Sequence, residues 1–131
     1  DNPIFYVQYA HARIASLKRK LADAGIDAAT PDIGRLDAYE LGLVKLLAQF
    51  PGAVEAGGKG REPPRIAFYL GDVAAAFHAW WNMGNDRPDD RIILANDAEL
   101  TATRLYLADG IGEVIRNGLH LMGVEALEEM A

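Results

Sequence analysis

Asn2-Pro3-Ile4-Phe5-Tyr6-Val7-Gln8-Tyr9-Ala10-His11-Ala12-Arg13-Ile14 is the stretch that decides how this chain is read. Asn2 is a good helix N-cap, and Pro3 suits a first helical position, where its missing N–H costs nothing. At about 100° per residue, Ile4, Val7, Ala10, His11, Ile14 and Leu21 gather on one side, with Leu17 at its edge. The pattern predicts a helix over 3–24, stopped by Gly25, with that side against a core. Tyr9, Arg13, Ser16 and Lys20 gather on a different side with Tyr6 nearby, which predicts a half-exposed aromatic and cationic strip.

The same periodicity continues downstream. Residues 25–36, with Gly25, Pro31 and Gly34, read as a loop, and a second helix fits Asp37 to Gln49. Pro51 is expected to interrupt it, with a short helix over 52–57. Gly57-Gly58-Lys59-Gly60 and Pro63-Pro64 then make a break. That break lacks the preceding strand and the Gly-Lys-Ser/Thr ending of a phosphate-binding loop. A third helix is predicted from about Pro64 to Met83, with Ile66, Tyr69, Leu70, Val73, Phe77 and Trp80 on one broad face and Trp81 at its margin. Ala74, His78, Trp81 and Asn85 share a ridge, so an indole is expected between an imidazole and an amide. Residues 84–95 read as a polar loop. The last long helix is predicted from Asn96, whose spacing to Glu99 fits a capping box, to Met122, with Gly123 as its stop. Its wide apolar stripe places it inside a bundle, and Gly118 within that stripe is expected to admit a neighbouring helix at close range. A final turn is expected over Ala126 to Met130. No segment has a period of 2, so the chain reads as a single all-α domain, a helical bundle over 1–131.

Composition agrees with a folded domain. Apolar residues make up 50% and charged residues 24%, which excludes the polar, highly charged pattern of a disordered chain. No apolar run is long enough to span a membrane, and the absence of cysteine excludes disulfides and thiol chemistry and fits a cytoplasmic protein. The net charge is −6 and uneven: residues 1–65 hold nine Lys and Arg against eight Asp and Glu, and residues 66–131 hold four against eleven. A bulk electrostatic nucleic-acid binder is usually basic, so any RNA contact must be local.

Candidate sites follow from residue type and spacing. Tyr9 and Arg13, four apart, could hold a guanidinium against a phenol and offer a planar surface to an unstacked base, or be a solvated pair. Trp81 is either core or a stacking surface. His11 lies on the core side and reads as a satisfied buried histidine. His11, His78 and His120 lack metal-ligand spacing, and no glycine-framed nucleophile occurs. The residues therefore read as a binder rather than a catalyst.

The opening stretch closely resembles the start of the C-terminal anticodon-binding domain of arginyl-tRNA synthetase. Three further stretches agree in the family's order. They are Tyr69-Leu70 with Ala74-Ala75-Ala76-Phe77-His78 ahead of Trp81-Asn82, then Arg116-Asn117-Gly118-Leu119 leading to Leu121-Met122-Gly123-Val124, and then Met130. The resemblance covers essentially the whole chain. It implies the all-helical anticodon-binding domain of a class I aminoacyl-tRNA synthetase, whose partner is the anticodon loop of arginine-accepting tRNA. Tyr9 and Arg13 match positions on the family's anticodon-binding surface, Trp81 matches a stacking aromatic that is most often tyrosine, and Met130 matches a methionine against the anticodon. Asn85 is a further candidate, in a place where many relatives carry a Cys-Arg type sequence. Glu128-Glu129-Met130-Ala131 replaces an arginine-bearing terminus.

Neither the His-Ile-Gly-His nor the Lys-Met-Ser-Lys-Ser type signature occurs. Aminoacylation, with ATP and magnesium, is therefore expected of a catalytic domain elsewhere in the same chain, with no cofactor in this piece. The start at Asp1 leads to the same expectation of a fragment of a longer synthetase. A helical protein-interaction or structural domain that does not bind RNA is the alternative.

Overall fold

A computed structural model describes residues 3–26, 29–57 and 65–130. Its helices are α1 (Pro3–Ala24), α2 (Ala38–Leu47), α3 (Phe50–Gly57), α4 (Arg65–Asp86) and α5 (Ala98–Leu121), with 3-10 turns at Ile33–Arg35 and Pro88–Asp90. No strand occurs among the described residues. The expected Asn2 cap and the break from Gly58 to Pro64 lie outside them.

α5 packs against both α1 and α4. Ile111, Ile115 and Leu119 are almost fully buried with Val7, Leu70, Val73 and Phe77 of α1 and α4. α5 runs antiparallel to α1, since Ile14 faces Gly112 and Lys18 pairs with Asp109. It is also antiparallel to α4: Leu70 meets Gly118 near one end, while Arg104 reaches the segment after α4 at the other. α1 and α4 therefore run parallel to each other and share a surface seam. The close approach expected at Gly118 is present, because a Cβ there would lie 2.7 Å from Leu70 Cδ2.

Several boundaries differ from expectation. α2 ends at Leu47, and Pro51 lies in the first turn of α3 rather than between two helices; a first turn needs no N–H from it. α4 continues to Asp86, so Gly84 and Asn85 are helical instead of loop residues. Gly84 is needed there because a Cβ would come within 2.9 Å of Arg91 Cα. The cap of α5 is Asp97, not Asn96: its side chain accepts from Leu100 N–H. Arg35 decides between the two neighbours by forking onto Asp97 at 2.7 and 2.9 Å, and it also bonds Glu99. These bonds hold the Asp97 carboxyl well below its usual range. The capping box lies instead at the start of α2, where Asp37 accepts from Glu40 N–H and Glu40 accepts from Asp37 N–H.

Glu40 is also a buried charge, at 1% exposure. Its Oε2 accepts from Trp80 Nε1 at 3.1 Å and lies 3.2 Å from Arg104 Nε. Arg104 in turn donates to the Asp89 and Arg91 carbonyls at 2.9 and 2.6 Å, which fixes the chain leaving α4.

Past α5, no helical turn forms over 126–130. Gly123 takes φ 73°, Gly123 N–H donates to His120 O, and Val124 N–H donates to Leu119 O, which together complete a Schellman cap. The cap reverses the chain, and residues 124–130 run irregularly along α1.

Candidate nucleic-acid interface

The seam between α1 and α4 collects the aromatic and cationic strip. Arg13 is its centre. The guanidinium carbon lies 4.5 Å from the centroid of Tyr9 and 4.8 Å from that of Trp81, so one cation bridges rings from two helices. Its NH1 also reaches His78 Nδ1 at 3.1 Å. His78 stacks on Tyr9 with centroids 5.3 Å apart and lies tilted against Tyr6 at 4.6 Å. Phe77 packs against Trp81 from below at 6.1 Å.

Tyr9, Arg13 and Trp81 keep the exposure a platform needs, above the buried His78 and Phe77. Tyr9 is 42% exposed and Trp81 is half-buried, whereas the neighbouring Trp80 is buried at 3%. Consecutive indoles of α4 thus separate into a core residue and a surface residue, because a step of about 100° turns one inward and the other to the margin. Lys20, one turn beyond Ser16, places Nζ 4.9 Å from the Trp81 centroid.

Two grooves flank this platform. On one side a groove of about 470 Å³ is lined by Tyr9, Ala12, Arg13, Ser16, Arg19, Glu128, Glu129 and Met130. On the other a groove of about 270 Å³ is lined by Leu17, Lys20, Trp81, Gly84, Asn85, Arg91, Ile92 and Ile93. Tyr9, Arg13 and Met130 therefore share the first groove and Trp81 and Asn85 the second, with Arg13 as the link between them. Asn85 is exposed in the last turn of α4 and lines the same groove as Ile92 and Ile93.

Some contributors were not evident from the sequence. His78, expected on the ridge of Trp81, also reaches across to Tyr6, Tyr9 and Arg13 of α1 and supports the platform from beneath, a cross-helix contact that spacing within α4 does not signal. Gln8 and His11 hold the segment that carries Met130. Gln8 Nε2 donates to Glu125 O at 3.0 Å, and His11 Nδ1 is 2.6 Å from Leu127 O. His11 is buried and hydrogen-bonded, as its place on the core side predicted. Among the described residues no group of three His, Asp or Glu could hold a metal ion. None of the helices described is long and apolar enough to cross a membrane.

The family model described as DALR anticodon binding domain matches residues 7–130. Arginine–tRNA ligase of Novosphingobium aromaticivorans is 57% identical over 130 residues, a match that covers 99% of this chain and 22% of that protein. The arginine–tRNA ligase of Azorhizobium caulinodans is 49% identical over 138 residues, covering 99% and 24% respectively. Among solved structures, Thermus thermophilus arginyl-tRNA synthetase superposes with a TM-score of 0.79 at 36% identity, over 95% of this chain and 21% of that one. The chain thus spans between a fifth and a quarter of the length of these relatives.

Proposed function

This chain belongs to the DALR anticodon binding domain family, and from that premise we propose that it grips the anticodon loop of an arginine-accepting tRNA through the Tyr9–Arg13–Trp81 platform. The observation that carries the reading is the Arg13 guanidinium held between two rings that stay accessible from solvent. Single-stranded loops are read by splaying bases onto aromatic and guanidinium planes, and a rigid pre-assembled plane spares the ordering cost of binding. Bases leaving the anticodon stack pack on Tyr9 in one groove and Trp81 in the other. Met130 and Asn85 line the far walls.

Local charge supports this in an acidic protein. Lys18, Arg19 and Lys20 are consecutive, and successive steps of about 100° spread them around α1. Lys20 lies over Trp81, Arg19 lines the Met130 groove, and Lys18 faces α5. Lys20 is exposed and flexible, so a base entering over Trp81 displaces its ammonium toward a phosphate. Aminoacylation, with its ATP and magnesium, belongs to the portion of a longer protein that this chain does not span. The role here is recognition without chemistry.

The test is a tryptophan-fluorescence titration at low and moderate salt with an arginine anticodon stem-loop and with one altered at the middle anticodon base. Trp80 supplies a buried background, and Trp81→Phe is the control. Selective, salt-sensitive quenching that disappears in the control is the expected result. Binding that leaves the emission of both proteins unchanged would remove Trp81 from the interface.

A further inference from the structure

The segment after α5 brings little apolar surface of its own. Val124 and Ala126 pack on the core, while Glu125, Glu128, Glu129 and Met130 are exposed. Three long-range hydrogen bonds fix its register along α1. Gln8 donates to Glu125 O, His11 contacts Leu127 O, and Arg19 NH1 donates to Glu128 O at 3.3 Å. The Arg19 bond is exposed, whereas Gln8 and His11 are 8% and 6% exposed, so theirs are the bonds sheltered from water. A carbonyl only accepts, so His11 Nδ1 carries the proton at this contact.

Gln8 and His11 lie on the same rigid helix as Tyr9 and Arg13. A fixed backbone therefore relates the residues that hold the segment to the residues that form the platform. Met130 stands three residues beyond the carbonyl held by His11, in the groove it shares with Tyr9 and Arg13. We propose that Gln8 and His11 are positioning residues for RNA recognition: they clip residues 124–130 onto α1 in one register and so build the Met130 wall of the groove. The role in recognition rests on the anticodon reading above, whereas the clip itself rests on geometry alone.

Methionine-methyl NMR tests the clip without RNA. The chain has three methionines, Met83, Met122 and Met130. In His11→Leu the Met130 signal is expected to sharpen and move to the free-chain position while that of Met83 stays in place. His11→Asn, which carries an amide N–H near the place of Nδ1, is expected to restore it. An unmoved Met130 signal in His11→Leu overturns the clip. Should His11→Leu lose its helical circular dichroism, Gln8→Leu carries the same test with the same outcomes.

Stem-loop affinity then tests the consequence. His11→Leu and Met130→Ala are each expected to weaken binding by about five- to tenfold, the size of one interface contact, with no further loss in the double variant. Additive losses would show His11 acting by a route other than Met130 and overturn the positioning role. A freed Met130 with unchanged affinity would leave the clip standing and remove Met130 from the anticodon reading.

Discussion

Arg13 holds His78 in its neutral form. The Arg13 NH1 group lies 3.1 Å from His78 Nδ1, and because a guanidinium only donates, Nδ1 accepts and the imidazole is neutral. Its remaining N–H, on Nε2, points to the Tyr6 carbonyl at 3.4 Å. Burial pushes the His78 pKa below its ordinary 6.5; the Tyr6 carbonyl opposes this and the Arg13 charge adds to it. A folded pKa below the unfolded one means that the unfolded chain binds the proton more tightly. The stability conferred by neutral His78 is therefore complete above about pH 6.5 and is lost as the pH falls from there through the lowered value. Thermal melts between pH 7.5 and 5 should show that decline. His78→Gln should remove its share, and a slope unchanged in that variant would clear His78 of it.

The two tryptophans should separate by function. Stacking is worth about 1–3 kcal/mol per base, so Trp81→Ala should weaken stem-loop binding by about one to two factors of ten, with a smaller fall in melting temperature than Trp80→Ala. Trp81→Tyr keeps a flat surface and should retain most of the affinity. Trp80→Ala, by contrast, opens a core cavity and leaves Glu40 without its indole donor, at a cost of about 3–5 kcal/mol of folding stability. Anisotropy titrations paired with thermal melts of all three variants check the division.

Lys20 is expected to meet RNA only as a charge. Lys20→Gln should lower affinity at low salt and reduce the slope of log K against log salt by a little under one, the share of one phosphate contact. The melting temperature should not move, because the ammonium is exposed. An unaltered salt slope would place the backbone elsewhere.

The buried pair Glu40–Arg104 is expected to be costly to break and tolerable to replace. Arg104→Met leaves a carboxylate in the core without its cation and frees the chain at Asp89 and Arg91, a loss of about 3–5 kcal/mol. Glu40→Leu together with Arg104→Met should regain part of that loss, since no charge is left buried. Urea unfolding of the single and double variants reads both numbers.

Much of this was legible because it is local. Tyr9, Arg13, Ser16 and Lys20 recur at helical spacing, so their shared strip on α1 needed no knowledge of other helices. Trp81 at the edge of an apolar face was legible for the same reason. Its meeting with Arg13 was not, since that depends on α1 and α4 lying parallel, a result of how both pack on α5. Asn96 and Asp97 are adjacent and both able to cap; only Arg35, some 60 positions away in sequence, decides between them. The burial of Glu40 was not legible, because Trp80 and Arg104 reach it from distant helices. The expected turn over 126–130 failed in the same way: a few residues have weak intrinsic preference, and donors on α1 override it.

The clip has a consequence for the order of folding. Its three bonds join residues 117, 116 and 109 positions apart in sequence. Closing loops of that length carries the largest entropic cost in the chain, so these contacts are expected to form late, after α1, α4 and α5 have assembled. With few buried apolar groups behind them, they should also be among the first to open in native-state fluctuations. A complete groove is thus a report on the whole topology, and a partly folded chain would present Tyr9 and Arg13 with one wall missing.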